Sequence, residues 1–194
     1  RLINDVLDLS RLEARSMKLR ADEGDLLPVI RPIVDSFRSL ADQNGISLRF
    51  KTSSPEIRGV FDREKLETVI YNLVSNALKF TSPKGTVDVE VALADPEQGG
   101  TRWVSVTVTD NGRGIPADKL DHLFDRYYQV ADADRHAGSG LGLALSRGLV
   151  HLHHGTITVT SSEHQGSSFV VNVPIDPQVF APEELAEAQS PDHP

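Results

Sequence analysis

The chain has 194 residues, enough for one sizeable core and a small appendage. Its 20 basic and 28 acidic side chains leave a net charge of -8, which excludes a general nucleic-acid binder but leaves room for one bound nucleotide, held by a few local cations. The absence of cysteine excludes disulfides, zinc-thiolate sites and thiol chemistry, and no apolar run reaches the roughly 20 residues of a membrane-crossing helix.

The sequence opens within a helical pattern, with no starting Met and no signal peptide, and is read as part of something longer. Over residues 1–16, Leu2, Ile3, Val6, Leu9 and Leu12 share one broad face and Asp5, Asp8 and Arg11 the other. So short a helix is marginal alone, and it is expected to need a partner helix from outside this sequence. A short extended stretch is expected near Met17–Ala21. Asp25 can cap a second helix that runs to about Asn44 and ends at Gly45. Ile46–Lys51 and Glu56–Val60 read as strands, and Asp62 caps a helix to about Phe80. Thr86–Leu93 and Trp103–Asp110 alternate as strands do, with a turn over Pro96–Gly100 between them. Residues 111–138 read as irregular or short-helical, and Ser139–His153 as a helix with Gly155 in the place of a helix-ending glycine. Thr156–Thr160 and Ser167–Val173 form a last hairpin, and the segment from Pro174, rich in Pro, Glu, Ala and Gln, reads as linker or disordered. Antiparallel strand pairs interrupted by helices give an α+β fold, one mixed sheet with helices on one face.

Four segments carry chemistry. Asn72, Asn76 and Lys79 stand at i, i+4 and i+7 of one helix and so form a stripe beside its apolar face. Amide oxygens are hard ligands suited to a Mg²⁺ held largely by phosphates and water, and the lysine can neutralise a phosphate; the plain alternative is a solvated helix face. Val104, Val106 and Val108 alternate onto one face of their strand, and Asp110 continues that parity. A carboxylate there must find a donor. With Gly112 and Gly114 letting backbone approach, it can read the amino edge of a purine, unless it is simply the Asp of an Asp-Asn-Gly turn. Gly138-Ser139-Gly140-Leu141-Gly142 opens a helix whose free amides suit phosphate. It is neither a Walker A motif nor a dinucleotide fingerprint, and alone it is no more than a flexible joint. Between Phe124 and Gly138 lies a polar stretch that reads either as a lid or as a surface loop, with Arg126 and Arg135 able to reach phosphates. The seven histidines show no metal-ligand spacing. His151, His153 and His154 end a helix, where a cation suits the dipole.

In order and spacing these segments resemble the Bergerat (GHKL) ATP-binding fold, and within it the catalytic domain of sensor histidine kinases. Asn72–Thr81 resembles that family's N box, Asp110–Ile115 and Gly138–Leu143 its two glycine boxes, and Phe124–Tyr128 its F box. Leu2–Glu13 resembles the end of the second dimerisation helix that precedes the domain. The resemblance implies a two-layer sandwich, its mixed sheet mostly antiparallel. It divides the chain into a dimerisation-helix fragment (1–16), a catalytic domain (17–175) and an acidic flexible tail or linker (176–194). It implies ATP and Mg²⁺ as ligands. Asn76 would hold the metal, and Asn72, Lys79 and Arg126 would act on the phosphates. Asp110, supported by Gly114, would contact the adenine amine, with Gly112, Ile115 and Tyr128 nearby. Gly138, Ser139, Gly140, Leu141 and Gly142 would line the phosphates.

Related ATPases such as gyrase carry a water-activating glutamate where Asn72 stands. An amide is no general base, which suits a phosphotransferase. The implied partners are a dimerisation-domain histidine, a response-regulator receiver domain and a second copy of the full protein. The implied setting is the cytoplasmic part of a membrane-bound bacterial receptor. Alternatives are a Bergerat ATPase, a serine kinase acting on an anti-anti-sigma partner, or a degenerate nucleotide-sensing or docking module. Three departures stand out. The phosphoacceptor histidine is missing, Gln129 replaces a lid arginine, and Glu163-His164-Gln165-Gly166 is a residue short and lacks its first glycine, leaving Ser168 as the contact on that rim.

Overall fold

Alternating valines build the centre of the molecule. The computed structural model describes residues 2–94, 100–129 and 139–186. Its elements run α1 (Leu2–Glu13), β1 (Asp22–Asp25), α2 (Leu27–Ser36), α3 (Arg38–Gln43), β2 (Ser47–Thr52), β3 (Arg58–Phe61), α4 (Arg63–Phe80), β4 (Thr86–Ala94), β5 (Trp103–Asp110), α5 (Ala117–Leu120), α6 (Gly142–Leu152), β6 (Thr156–Ser162) and β7 (Gly166–Pro174). The main sheet has the order β2-β4-β5-β7-β6. Its β2–β4 pair is parallel and the other pairs antiparallel. Val91, Val106 and Val171 meet across it, and all three are buried. The fold class is therefore the expected α+β. A second, two-stranded sheet of β1 and β3 was not foreseen.

The helices cover the sheet through their apolar stripes. On α4, Leu66, Val69, Ile70, Leu73 and Ala77 are buried. The Asp62 carboxylate caps that helix by accepting the Lys65 N–H at 3.2 Å. Asp25 accepts the N–H groups of Leu27 at 3.1 Å and Ile57 at 3.0 Å, so it ties the start of α2 to the segment leading into β3. The single helix expected from Asp25 to Asn44 is two. It breaks at Phe37, whose φ/ψ of -89/-6 departs from regular helix and whose ring enters the core. Gly45 does end α3, at φ +66. After α6 the left-handed residue is His154 (φ +59), not Gly155. Gly155 is required for another reason, since a Cβ there would collide with the Asn172 carbonyl.

His153, expected as a cation at a helix end, is fully buried. Its Nδ1–H donates to the Leu149 carbonyl at 2.8 Å and its Nε2 accepts the Asp62 N–H at 3.2 Å, which requires the neutral ring. Burial lowers its pKa accordingly.

The first and the last described segments pack onto the domain. Leu9 of α1 is buried, and Leu12 lies against Gly148 of α6, where a Cβ would stand 2.7 Å from Leu12 Cδ1. A partner helix thus comes from this chain, while Leu2, Ile3 and Leu7 remain exposed. The tail differs from expectation up to residue 186. Phe180 is buried with Leu19, Ala21 and Val60. The Ala21 N–H donates to Glu184 O, and the Ala186 N–H to Ala21 O, both at 2.8 Å. A composition rich in Pro and Glu concealed one aromatic anchor. Among the described residues, no helix is long and apolar enough to cross a membrane.

Candidate functional site

The second half of α4, the turn after β5 and the start of α6 surround a cavity of about 410 Å³. Asn72, Asn76 and Lys79 line it from α4, and Asp110, Gly114 and Ile115 from β5 and its turn. Tyr128, Ser139, Gly140 and Gly142 also line it. These expected residues are brought together by two periodicities: seven helical residues keep Asn72 and Lys79 on one side, and strand parity turns Asp110 inward.

Asp110 ends β5 on the face of Val104, Val106 and Val108 and is 6% exposed. Its Oδ1 accepts the Gly112 N–H at 2.8 Å. Burial pushes its pKa up, while hydrogen bonds from the Gly112 and Ser167 backbones act in the opposite direction. Gly112 does not line the cavity; it lets the turn fit, because a Cβ would stand 2.8 Å from Asp110 Oδ1 and collide with the Phe80 carbonyl. Gly114, at φ +66, is equally constrained against the Ser162 carbonyl. The Ile115 N–H is held by Ser161 Oγ at 2.9 Å.

The α4 stripe meets α6. Asn72 Nδ2 donates to the Gly142 carbonyl at 3.2 Å and to Ser146 Oγ at 3.4 Å. Gly140, at φ +70, presents its carbonyl to the Tyr127 N–H at 2.9 Å and so anchors the F-box segment. Leu141 does not line the cavity. Its side chain belongs to the core, and its N–H is taken by Ser139 Oγ at 3.3 Å. Gly138 of the second glycine box, and Arg135 with the rest of the expected lid stretch after Gln129, lie outside the described residues.

Two expected contacts are placed elsewhere. Arg126 does not reach the cavity; its guanidinium pairs with Glu13 of α1. Ser168 faces the other side of the sheet, its Oγ 2.9 Å from Thr109 Oγ1. The inward residue is Ser167, buried and lining the cavity in step with Phe169, Val171 and Val173. That parity was readable in the sequence. Gly166 was also undervalued. At φ +93 it runs so close to Asp110 that a Cβ would collide with the Asp110 carbonyl.

Sequence reasoning passed over Arg113, which lines the cavity beside Lys79. Leu2 and Asp5 of α1 line it too. Burial, then the charge of Arg113, hold the Lys79 pKa below the ordinary lysine value. Among the described residues no cluster of three His, Cys, Asp or Glu can hold a metal ion. Asn76 offers an amide oxygen to a cation that brings its other ligands with it. The cavity therefore combines a buried carboxylate acceptor, two cations and a glycine-rich helix start.

Residues 61–177 match the family described as histidine kinase-, DNA gyrase B-, and HSP90-like ATPase. The chain is 35% identical over 176 residues to the sensor histidine kinase TmoS of Ectopseudomonas mendocina, covering 90% of this chain and 18% of that protein. It is 30% identical over 195 residues to the autoinducer 2 sensor kinase/phosphatase LuxQ of Vibrio parahaemolyticus, covering 98% of this chain and 23% of that protein. It thus spans less than a quarter of the length of either relative. Full-length ShkA, solved in complex with AMPPNP, superposes with a TM-score of 0.77 at 29% identity, over 90% of this chain and 35% of that one. The mycobacterial sensor histidine kinase MprB superposes with a TM-score of 0.69 at 26% identity, over 80% of this chain and 99% of that one.

Proposed function

The chain belongs to the histidine kinase-, DNA gyrase B-, and HSP90-like ATPase family, and from that footing we propose that its α4–β5–α6 cavity binds Mg·ATP as the catalytic domain of a two-component sensor histidine kinase. The observation that carries the reading is Asp110. A carboxylate 6% exposed, held by neighbouring backbone N–H groups in the wall of a cavity, is suited to accept a hydrogen bond from the exocyclic amine of adenine. Ser167 completes that rim. Lys79 and the opening of α6 suit the phosphates, with Gly140 and Gly142 letting backbone approach. Asn76 would hold Mg²⁺ by its amide oxygen, and the metal would neutralise phosphate charge. A cation held mainly by phosphates and water needs only such an amide oxygen from the protein.

In the whole protein, a histidine nitrogen on a dimerisation helix would attack the γ-phosphorus. The bond to the β–γ bridging oxygen would break and ADP would leave. Positioning and charge neutralisation carry most of such a transfer. The phosphoryl group would then pass to an aspartate of a receiver domain. Residues 1–16 are read as the end of the dimerisation helix, 17–175 as the catalytic domain, and 176–194 as an acidic tail or linker whose first part, to residue 186, packs on the domain. The intact protein is read as a homodimer whose kinase region lies on the cytoplasmic side of a membrane. The rival reading, a water-activating ATPase, lacks a base at the required place: Asn72 uses its amide as a donor to α6.

The test is calorimetric titration of this chain with Mg·ADP, followed by incubation with labelled ATP and a separately supplied dimerisation domain. Saturable binding and an acid-labile phosphohistidine on the added domain are expected. No binding would sink the proposal, and steady ATP turnover without the added domain would favour the ATPase.

A further inference from the structure

Phe80 ends α4 and holds two cations at once. Lys79 Nζ lies 4.9 Å from its ring centroid and Arg113 Cζ lies 4.7 Å from the same point. The Phe80 carbonyl also accepts the Arg113 N–H at 3.3 Å, and Gly112 fits against that carbonyl only because it has no Cβ. The turn after β5 is thereby fastened to the end of α4, with the Arg113 side chain set beside Lys79. All three residues line the cavity.

Two like charges at one half-buried place repel each other; the Lys79 pKa is held down first by burial and then by the charge of Arg113. An anion bearing more than one charge relieves it. The two cations also differ in kind: arginine offers a planar fork and lysine a compact point charge, a combination suited to successive phosphates of one chain.

We propose that Arg113 is a nucleotide-contacting residue which, with Lys79, forms a two-cation clamp for the phosphate chain across the ring of Phe80. Phe80 is the positioning residue that keeps both cations in place. This assignment rests on reading the cavity as a nucleotide site.

The experiment titrates adenosine and Mg·ADP separately into the wild type and into Arg113→Gln, Arg113→Lys and Phe80→Leu, with thermal melting of each variant. Arg113→Gln is expected to weaken Mg·ADP about tenfold, as the loss of a charge-assisted contact does, while adenosine binding stays unchanged. Its affinity should also fall less steeply with salt than that of the wild type. Arg113→Lys should recover part of the loss, and Phe80→Leu should shrink the gap between ADP and adenosine. If Arg113→Gln does not fold, Arg113→Met is used with the same expectations. Wild-type affinity for Mg·ADP in Arg113→Gln (or Arg113→Met) or in Phe80→Leu overturns the clamp, as does an equal loss for ADP and adenosine. A wild type that binds neither compound overturns the nucleotide reading itself.

Discussion

The side-chain amide of Asn72 donates to the Gly142 carbonyl across 3.2 Å, and so joins the middle of α4 to the first turn of α6. Ser146 Oγ accepts from the same nitrogen at 3.4 Å and itself donates to Gly142 O at 2.8 Å. Two walls of the cavity are therefore held to each other by one buried polar cluster.

Asn72→Asp tests that cluster. The change keeps the shape but places a carboxylate oxygen against the Gly142 carbonyl, with the single Ser146 hydroxyl proton to serve both acceptors. The expected cost is about 1–3 kcal/mol of stability, read as a lower urea midpoint with an unchanged slope. An unchanged midpoint would mean that α4 and α6 are held by apolar contact alone.

Gly166→Ala should damage the adenine rim from a distance. The substitution puts a Cβ into the Asp110 carbonyl at a residue of φ +93. Gly100 is the control, since it also has positive φ (+78) but nothing within 4 Å of its Cβ position. Both variants bear backbone strain of about 1 kcal/mol or more. Only Gly166→Ala should also lose nucleotide affinity. Equal affinity for the two variants would show that β7 can retreat from Asp110 without consequence.

His153 gives the fold a pH dependence of known sign. Its folded pKa is lowered by burial from the ordinary 6.5, so between that lowered value and 6.5 the unfolded chain binds more protons. The stabilisation is fully present above pH 6.5 and is lost as pH falls below it toward the folded value. The groups facing the ring are Asp62, which favours the proton, and Lys65, which opposes it. Urea melts at several pH values should show a shallower acid slope for His153→Asn than for the wild type. Identical slopes would assign the acid loss to carboxylates.

Much of the site was legible because short-range periodicity placed it. The two-residue repeat through Val104, Val106 and Val108 brought Asp110 to the core face, and helical spacing kept Asn72, Asn76 and Lys79 together. What depended on distant partners was not legible. Arg126 looked like a phosphate contact, but Glu13, far away in sequence, takes its guanidinium. Arg113 gained its place only when the turn after β5 met the end of α4. Ser168 was a misjudged parity instead: Phe169, Val171 and Val173 alternate inward, and Ser167, not Ser168, continues that face. The tail misled because Phe180 outweighs the polar residues around it once Leu19, Ala21 and Val60 form its pocket.

Phe180→Ala should release that tail. Removing a buried aromatic ring typically costs about 3–5 kcal/mol, and this small satellite cluster belongs at the low end of that range. A lower melting temperature and faster proteolysis after Asp176 are expected. Nucleotide affinity should be unchanged, because none of the four buried residues of that cluster lines the cavity. A melting temperature equal to that of the wild type would mean that the tail docks without supporting the domain.

The most direct measurement is calorimetric titration of Mg·ADP into the wild type and into Asp110→Asn. Saturable one-site binding is predicted for the wild type, weaker by about 1–3 kcal/mol in the variant, roughly 5- to 150-fold. Equal affinities, or no binding by the wild type, would contradict the assignment of Asp110 to the adenine ring.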